Sequence, residues 1–226
     1  MLVVNADDFG MSDGVNAGVV EGFEGGVVTS ASLMVRQHAA AAAAACAASR
    51  PRLAVGLHLD LEDRDYAAGS GSDAWRCDRD DPAAVEAECR SQLDRFRDLM
   101  GRDPTHLDSH HHLHLEVPLA GVAGRLAGEL GVPLRGRGIR YEGRFFGRGR
   151  DGHPDPDAVG TEALVAILRS LPSGVTELGC HPGLGGEGSS YGDERRRELQ
   201  TLCDPAVRRA IAEERIRLVS FAEVSR

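Results

Sequence analysis

Short apolar runs of strand length alternate along the chain with longer amphipathic or alanine-rich segments, each bounded by a capping residue, a proline or a glycine. Leu2 to Ala6 is the first such run, and Ser12 is placed to cap a helix that ends near the Gly25-Gly26 pair. Val27 to Val35, rich in β-branched and apolar residues, predicts a second strand, with a helix through the alanine tract from Ala39 to Ala48. Leu53 to Leu59 predicts a third. Asp81-Pro82, a cap with proline at the first helical position, opens a helix that reaches Gly101. Thr105 to Ser109 predicts a fourth strand, Pro118 to Gly131 a helix, and Val132 to Tyr141 contains a weaker fifth strand. Asp157 opens a helix that ends before Pro172. Val175 to Cys180 is a late strand, Asp204-Pro205 starts the next helix, and Ile216 to Val219 is the last strand.

Strands alternating with helices pair in parallel through right-handed crossovers. The expected fold is α/β, a distorted or incomplete (β/α) barrel of TIM type with about seven parallel strands. No repeat or linker divides the 226 residues, so one domain over 1–226 is expected. Two glycine- and charge-rich stretches, Glu62 to Asp80 and Glu142 to Pro156, read as long loops.

Composition narrows the functions open to such a fold. A net charge of -9, from 26 basic and 35 acidic residues, argues against a phosphate-backbone partner. Every basic residue is arginine, and the absence of lysine removes Schiff-base catalysis and a P-loop lysine. No apolar run approaches the roughly 20 residues of a membrane span. Met1 leads straight into a strand-like run without a basic and apolar leader. The five cysteines are odd in number and lack a C-x-x-C pair, which suits a reducing compartment. A cytoplasmic protein with no nucleic-acid or membrane partner is expected, and a homodimer is left open.

The chemistry-bearing residues fall where parallel α/β folds gather their sites, at the carboxyl ends of strands. Asp7-Asp8 follow the first strand, His58 ends the third, His110 follows the fourth and His181 follows the late strand. The densest signal is Thr105-His-Leu-Asp-Ser-His-His-His-Leu-His114. If extended, it would put His106, Asp108, His110, His112 and His114 on one face. So many polar side chains on one face are costly unless they bind something or pair. Imidazole and carboxylate without thiolate suit zinc, cobalt, nickel, iron or manganese, and magnesium less comfortably. Such an ion with an open position acidifies water and polarises a carbonyl, which points to amide or ester hydrolysis. Asp7 and His181 are the candidate base and acid.

At these residues the chain resembles the YdjC-like carbohydrate deacetylases, which include the chitooligosaccharide deacetylases. The likeness rests on Asn5-Ala-Asp-Asp-Phe-Gly10, Gly26-Val-Val-Thr-Ser-Ala-Ser-Leu-Met34, Gly56-Leu-His-Leu59, the histidine-rich run and Cys180-His-Pro-Gly183. Tyr191, Arg195 and Glu198-Leu199 extend it toward the end of the chain. The resemblance implies a barrel-like fold and removal of acetyl groups from small N-acetylated sugars, dependent on one divalent metal (zinc, magnesium, manganese, cobalt or nickel). By position it implies Asp8, His58 and His110 as metal ligands, Asp7 as base and His181 as acid or oxyanion partner. His112, His114, Asp108 and Arg135 would face the substrate or support the ligands. Asp60 departs from the family, in which an amide residue often follows the His-Leu pair. The Glu62–Asp80 loop is short, and its Trp75 is either a surface for a sugar ring or incidental cover.

Other readings remain at this level. A sugar isomerase or aldolase barrel would want more carboxylates or a lysine. A cysteine hydrolase would need Cys180 and His181 to cooperate, although neighbours in a strand face opposite ways. A metal- or sugar-binding module without turnover would have no use for Asp7 and His181.

Overall fold

The structure, a computed structural model, describes residues 1–65, 70–149, 151–185 and 190–224. In chain order the strands are β1 (Leu2–Phe9), β2 (Ser30–Leu33), β3 (Ala54–Leu59), β4 (Glu62–Asp65), β5 (Ser70–Trp75), β6 (Leu107–Ser109), β7 (Arg140–Glu142) and β8 (Thr176–Cys180). The helices are α1 (Asp13–Glu24), α2 (Ala40–Ala48), α3 (Pro82–Met100), α4 (Leu119–Leu130), α5 (Thr161–Arg169), α6 (Gly192–Leu202), α7 (Pro205–Glu213) and α8 (Phe221–Val224). Short 3-10 segments cover His110–Leu115 and Pro156–Val159.

Six strands form one parallel sheet in the order β6-β3-β2-β1-β8-β7. Strands β1, β2, β3 and β8 are buried along their whole length, as strands covered on both faces must be. The sheet curls into an incomplete barrel, as expected, but with six strands rather than about seven. The segment Ile216–Val219 makes only one parallel bridge, Leu2 to Leu218. Its reach is limited because β2 occupies that edge of β1 from Asn5 onward. The expected fifth strand divides in two. Leu134 bridges to Leu107 on β6, whereas Arg140–Glu142 pair with β8 at the opposite edge. The chain between them runs from one sheet edge to the other, with Gly136 and Gly138 at φ 75° and 79°. It carries Arg135 into the barrel.

The helix boundaries follow their local chemistry. Ser12 accepts from Val15 N–H at the start of α1, and Asp81 and Asp204 cap α3 and α7 ahead of Pro82 and Pro205. Gly101 closes α3 at φ 65°. The alanine helix α2 buries Ala40, Ala43, Ala44 and Ala47, one face at helical spacing. Asp157 does not open a helix. Asp155 caps the 3-10 turn, and α5 starts at Thr161. The Glu62–Asp80 stretch is not a plain loop either, since it contains the antiparallel pair β4–β5. Among the described residues, no helix is long and apolar enough to cross a membrane.

Candidate metal centre and active site

The site begins with an irregularity in β1. Ala6 stands opposite Ala31 on β2 but Phe9 stands opposite Leu33, so three steps on β1 match two on its neighbour. Asp8 absorbs the extra residue at φ 65°, a left-handed conformation that aspartate tolerates better than most side chains. The strand therefore continues past Ala6, and adjacent Asp7 and Asp8 are both buried and both line the same cavity. An unbroken strand would have sent them to opposite faces.

The histidine run does not stay extended. β6 stops at Ser109, and His111 and His112 adopt left-handed φ values of 53° and 55° as the chain coils into a 3-10 turn. The alternating face expected for His106 to His114 is replaced by a fan. His110 points at Asp8, with Nδ1 3.1 Å from Oδ1. His58, from the end of β3, brings Nε2 to 3.4 Å from the same oxygen. These three residues offer ligand atoms all within 4.8 Å of one another. Two imidazoles and a carboxylate form a donor set that fits a divalent transition metal. The other atoms of these ligands are held from behind. Arg195 Nη2 donates to Asp8 Oδ2 at 2.6 Å, which leaves Oδ1 to face the histidines. His58 Nδ1 bonds Asp108 Oδ1 at 2.8 Å, the outer carboxylate that commonly orients a metal-binding histidine. Burial opposes charge on His58, but Asp108 and Asp8 outweigh it and push its pKa up to about 10.

Asp7 is engaged differently. Both of its oxygens accept from the Arg135 fork, at 2.6 and 2.7 Å, and Asn5 Nδ2 adds a bond of 2.8 Å. Burial works against ionisation, yet Arg135 holds the Asp7 carboxyl below the usual carboxylate range. Arg135 also reaches Asp108 at 2.9 Å and Glu177 at 2.7 Å. One guanidinium thus ties together β1, β6 and β8. Asp7, His58 and Asp108 also lie close enough to be a second ligand group, but Arg135 already fills the space between the two aspartates.

His181 completes the floor. Its Nε2 lies 3.9 Å from Asp7 Oδ2 and its Nδ1 3.7 Å from Glu198 Oε1. Its backbone N–H donates to Glu198 Oε2. Burial disfavours the imidazolium, but Glu198 and the two aspartates raise the His181 pKa above its ordinary value. Above this floor opens a cavity of about 530 Å³. His112 lines it, with Nε2 3.4 Å from the Tyr141 hydroxyl. Burial first, then Arg135, push the His112 pKa down to about 4, so it is neutral. Gly143 and Gly179 leave the room Tyr141 occupies, since a Cβ on Gly143 would come within 2.7 Å of its ring.

Several expected positions lie elsewhere. His114 is buried off the cavity, its Nδ1 2.7 Å from Ser109 Oγ. Arg135 and Asp108 are likewise buried behind the site rather than exposed to the cavity. Asp60 adds no open charge to the mouth. It is buried, accepts from Gln37 at 3.0 Å and lies 3.7 Å from Arg76. Cys180 donates to the Asn5 carbonyl within the sheet, away from His181. Trp75 lies outside the cavity, under the Arg79 guanidinium at 3.9 Å.

Glu177, Tyr141 and Phe146 were not singled out by sequence reasoning, and Arg195 and Glu198 were noted without a role. For the last two a signal existed. Arg195, Glu198 and Leu202 recur at three- and four-residue spacing and are all buried on α6. The buried face of that helix is partly charged, so a search for apolar periodicity passes over it.

The curled parallel sheet gathers carboxylates and imidazoles at its carboxyl ends, where parallel α/β folds place their sites. Residues 1–213 match the family model described as YdjC-like protein, and the chain belongs to that family. It is 35% identical over 251 residues to a carbohydrate deacetylase of Brevibacillus brevis, covering 99% of each chain. It is 33% identical over 249 residues to a chitooligosaccharide deacetylase of Klebsiella pneumoniae, again covering 99% of each. A crystal structure of an Enterococcus faecalis protein, provisionally assigned to cellobiose-phosphate cleavage, superposes with a TM-score of 0.83 at 27% identity, over 99% of this chain and 98% of that one.

Proposed function

We propose that this protein is a metal-dependent carbohydrate deacetylase that hydrolyses the acetamide of small N-acetylated amino sugars. The observation that carries the reading is the Asp8, His58 and His110 cluster, which opens onto the same cavity as Asp7 and His181. Asp8 Oδ1, His58 Nε2 and His110 Nδ1 would hold one divalent ion, with zinc, manganese, cobalt, nickel and magnesium as the candidates. When bound, such an ion acidifies water and polarises an amide carbonyl.

The chain's own groups supply the proton traffic. Asp7 stays ionised into acid solution because Arg135 holds its carboxylate, so the base form is present across the neutral range. It takes the proton of the attacking water. His181, whose pKa Glu198 and the two aspartates raise against the effect of burial, gives a proton to the departing amine nitrogen. A binding module without turnover is disfavoured, because it would not need Asp7 and His181 at one cavity wall. The five free cysteines fit a reducing, cytoplasmic setting. Acetate release from N-acetylglucosamine and its short oligomers, abolished by a chelator and restored by a divalent ion, tests the proposal. Intact metal content with no acetate released from any N-acetyl sugar would reject it.

A further inference from the structure

Six large apolar side chains are exposed among the described residues, and only Phe146 among them lines the cavity. It is 38% exposed there, although water-facing phenylalanine gains nothing by itself. Its position is fixed from below. Phe146 stacks on Tyr191 with centroids 5.0 Å apart and planes at 14°. The Tyr191 hydroxyl donates to Glu198 Oε1 at 2.7 Å and accepts from Gly147 N–H at 2.6 Å. Gly147 is required for this approach, because a Cβ there would lie 2.8 Å from Glu194 Cγ. On its flank, Phe146 meets the His181 ring edge-on at 5.3 Å.

The direction of the amide follows from the proposed deacetylase reading, on which this inference rests. The acyl carbon must face Asp8, His58 and His110, and the amine nitrogen must face His181. Whatever carries the amine therefore lies on the His181 side, against the open face of Phe146. A pyranose ring presents a C–H-rich face and hydroxyls at its rim, so a flat, rigid apolar surface suits the former.

We infer that Phe146 is the substrate platform on which the apolar face of the acetamido-bearing pyranose ring rests. It is a specificity-determining residue, and the Tyr191–Glu198 pair behind it couples ring placement to His181.

Saturation-transfer NMR of di-N-acetylchitobiose with the metal-free protein tests this without turnover. In the unmodified protein the pyranose C–H protons should saturate strongly. Phe146→Ala should cut that ring signal at least threefold and leave the acetyl-methyl signal. Phe146→Tyr should restore it, whereas Phe146→Leu, apolar but not flat, should not. In the metal-loaded enzyme, Phe146→Ala should raise KM about 3- to 10-fold, the usual worth of one aromatic contact. Ring saturation unchanged by Phe146→Ala overturns the inference, and so does full recovery with leucine. Loss of the methyl signal in place of the ring signal overturns it too, by putting the acyl group on Phe146. If the ring contact behaves as expected but no acetate is released, the platform stands and the deacetylase reading falls.

Discussion

Replacing Glu177 by glutamine should stabilise the protein at neutral and alkaline pH and leave it nearly unchanged in acid. Glu177 is buried on β8, and its Oε1 accepts from Arg135 Nε at 2.8 Å. Its Oε2 is buried without a hydrogen-bond partner among the described residues. Arg135 favours ionisation, but that guanidinium is already committed to both oxygens of Asp7 and to Asp108. Burial therefore wins, helped by the charges of Asp108 and Asp7, and pushes the Glu177 pKa up from 4.5 to about 7. Between those values the unfolded chain binds fewer protons than the folded one. Stability supplied by the protonated form is thus present below pH 4.5, is lost as pH rises toward 7, and stays lost above it. At about 1.4 kcal/mol per pH unit, that gap sets a ceiling of about 3 kcal/mol. Glutamine does not titrate and keeps an acceptor oxygen for Arg135. Urea unfolding at pH 5, 6, 7 and 8, with chelator in both proteins, measures the difference. The advantage of Glu177→Gln should grow by about 2–3 kcal/mol from pH 5 to 7 and then level off. Parallel stability curves would show that Glu177 does not change protonation in this window. A variant that loses ground as pH rises would show that the Arg135 ion pair dominates after all.

Other outcomes follow from the same geometry. Asp7→Asn should lose on the order of 10²–10⁴ in turnover while elemental analysis finds its metal intact; Asp8→Asn should instead bind metal weakly and be partly rescued by excess ion. Glu198→Gln removes the carboxylate that raises the His181 pKa, so the basic limb of the kcat/KM profile should move to lower pH; an unmoved limb would exclude His181 as the acid. Gly56→Ala should destabilise by about 1–3 kcal/mol in urea titrations, because a Cβ there overlaps the His106 ring.

Much of the frame was legible because it is set locally. Ser12, Asp81-Pro82, Gly101 and Asp204-Pro205 each carry their boundary in their own side chain or φ, and the structure uses all of them. What escaped depends on contacts distant in sequence. The bulge at Asp8 exists only because β1 pairs with β2 out of step, and nothing in Asn5-Ala-Asp-Asp announces it. Period-two reasoning failed for His110 to His114 because two residues turn left-handed after Ser109, where Asp8 and Glu62 draw His110 and His111 to them. Arg135 was legible as a candidate but not as the centre of a network, since its partners lie on three different strands.

The two adjacent aspartates show how distant residues give neighbours different chemistry. Each has its own arginine. Arg135, from the crossing between the sheet edges, takes both oxygens of Asp7. Arg195, from α6, takes only Oδ2 of Asp8. An aspartate held at both oxygens keeps them committed to its arginine even where, as for Asp7, His58 lies nearby, whereas one held at a single oxygen presents the other to His58 and His110 at 3.4 and 3.1 Å. Both carboxylates are held below their ordinary pKa, so both stay ionised, and the difference between them is one of access. The division proposed above, Asp8 to the metal and Asp7 to the water, thus follows from which arginine each one meets. It does not follow from the strand, because the bulge turns both into the same cavity.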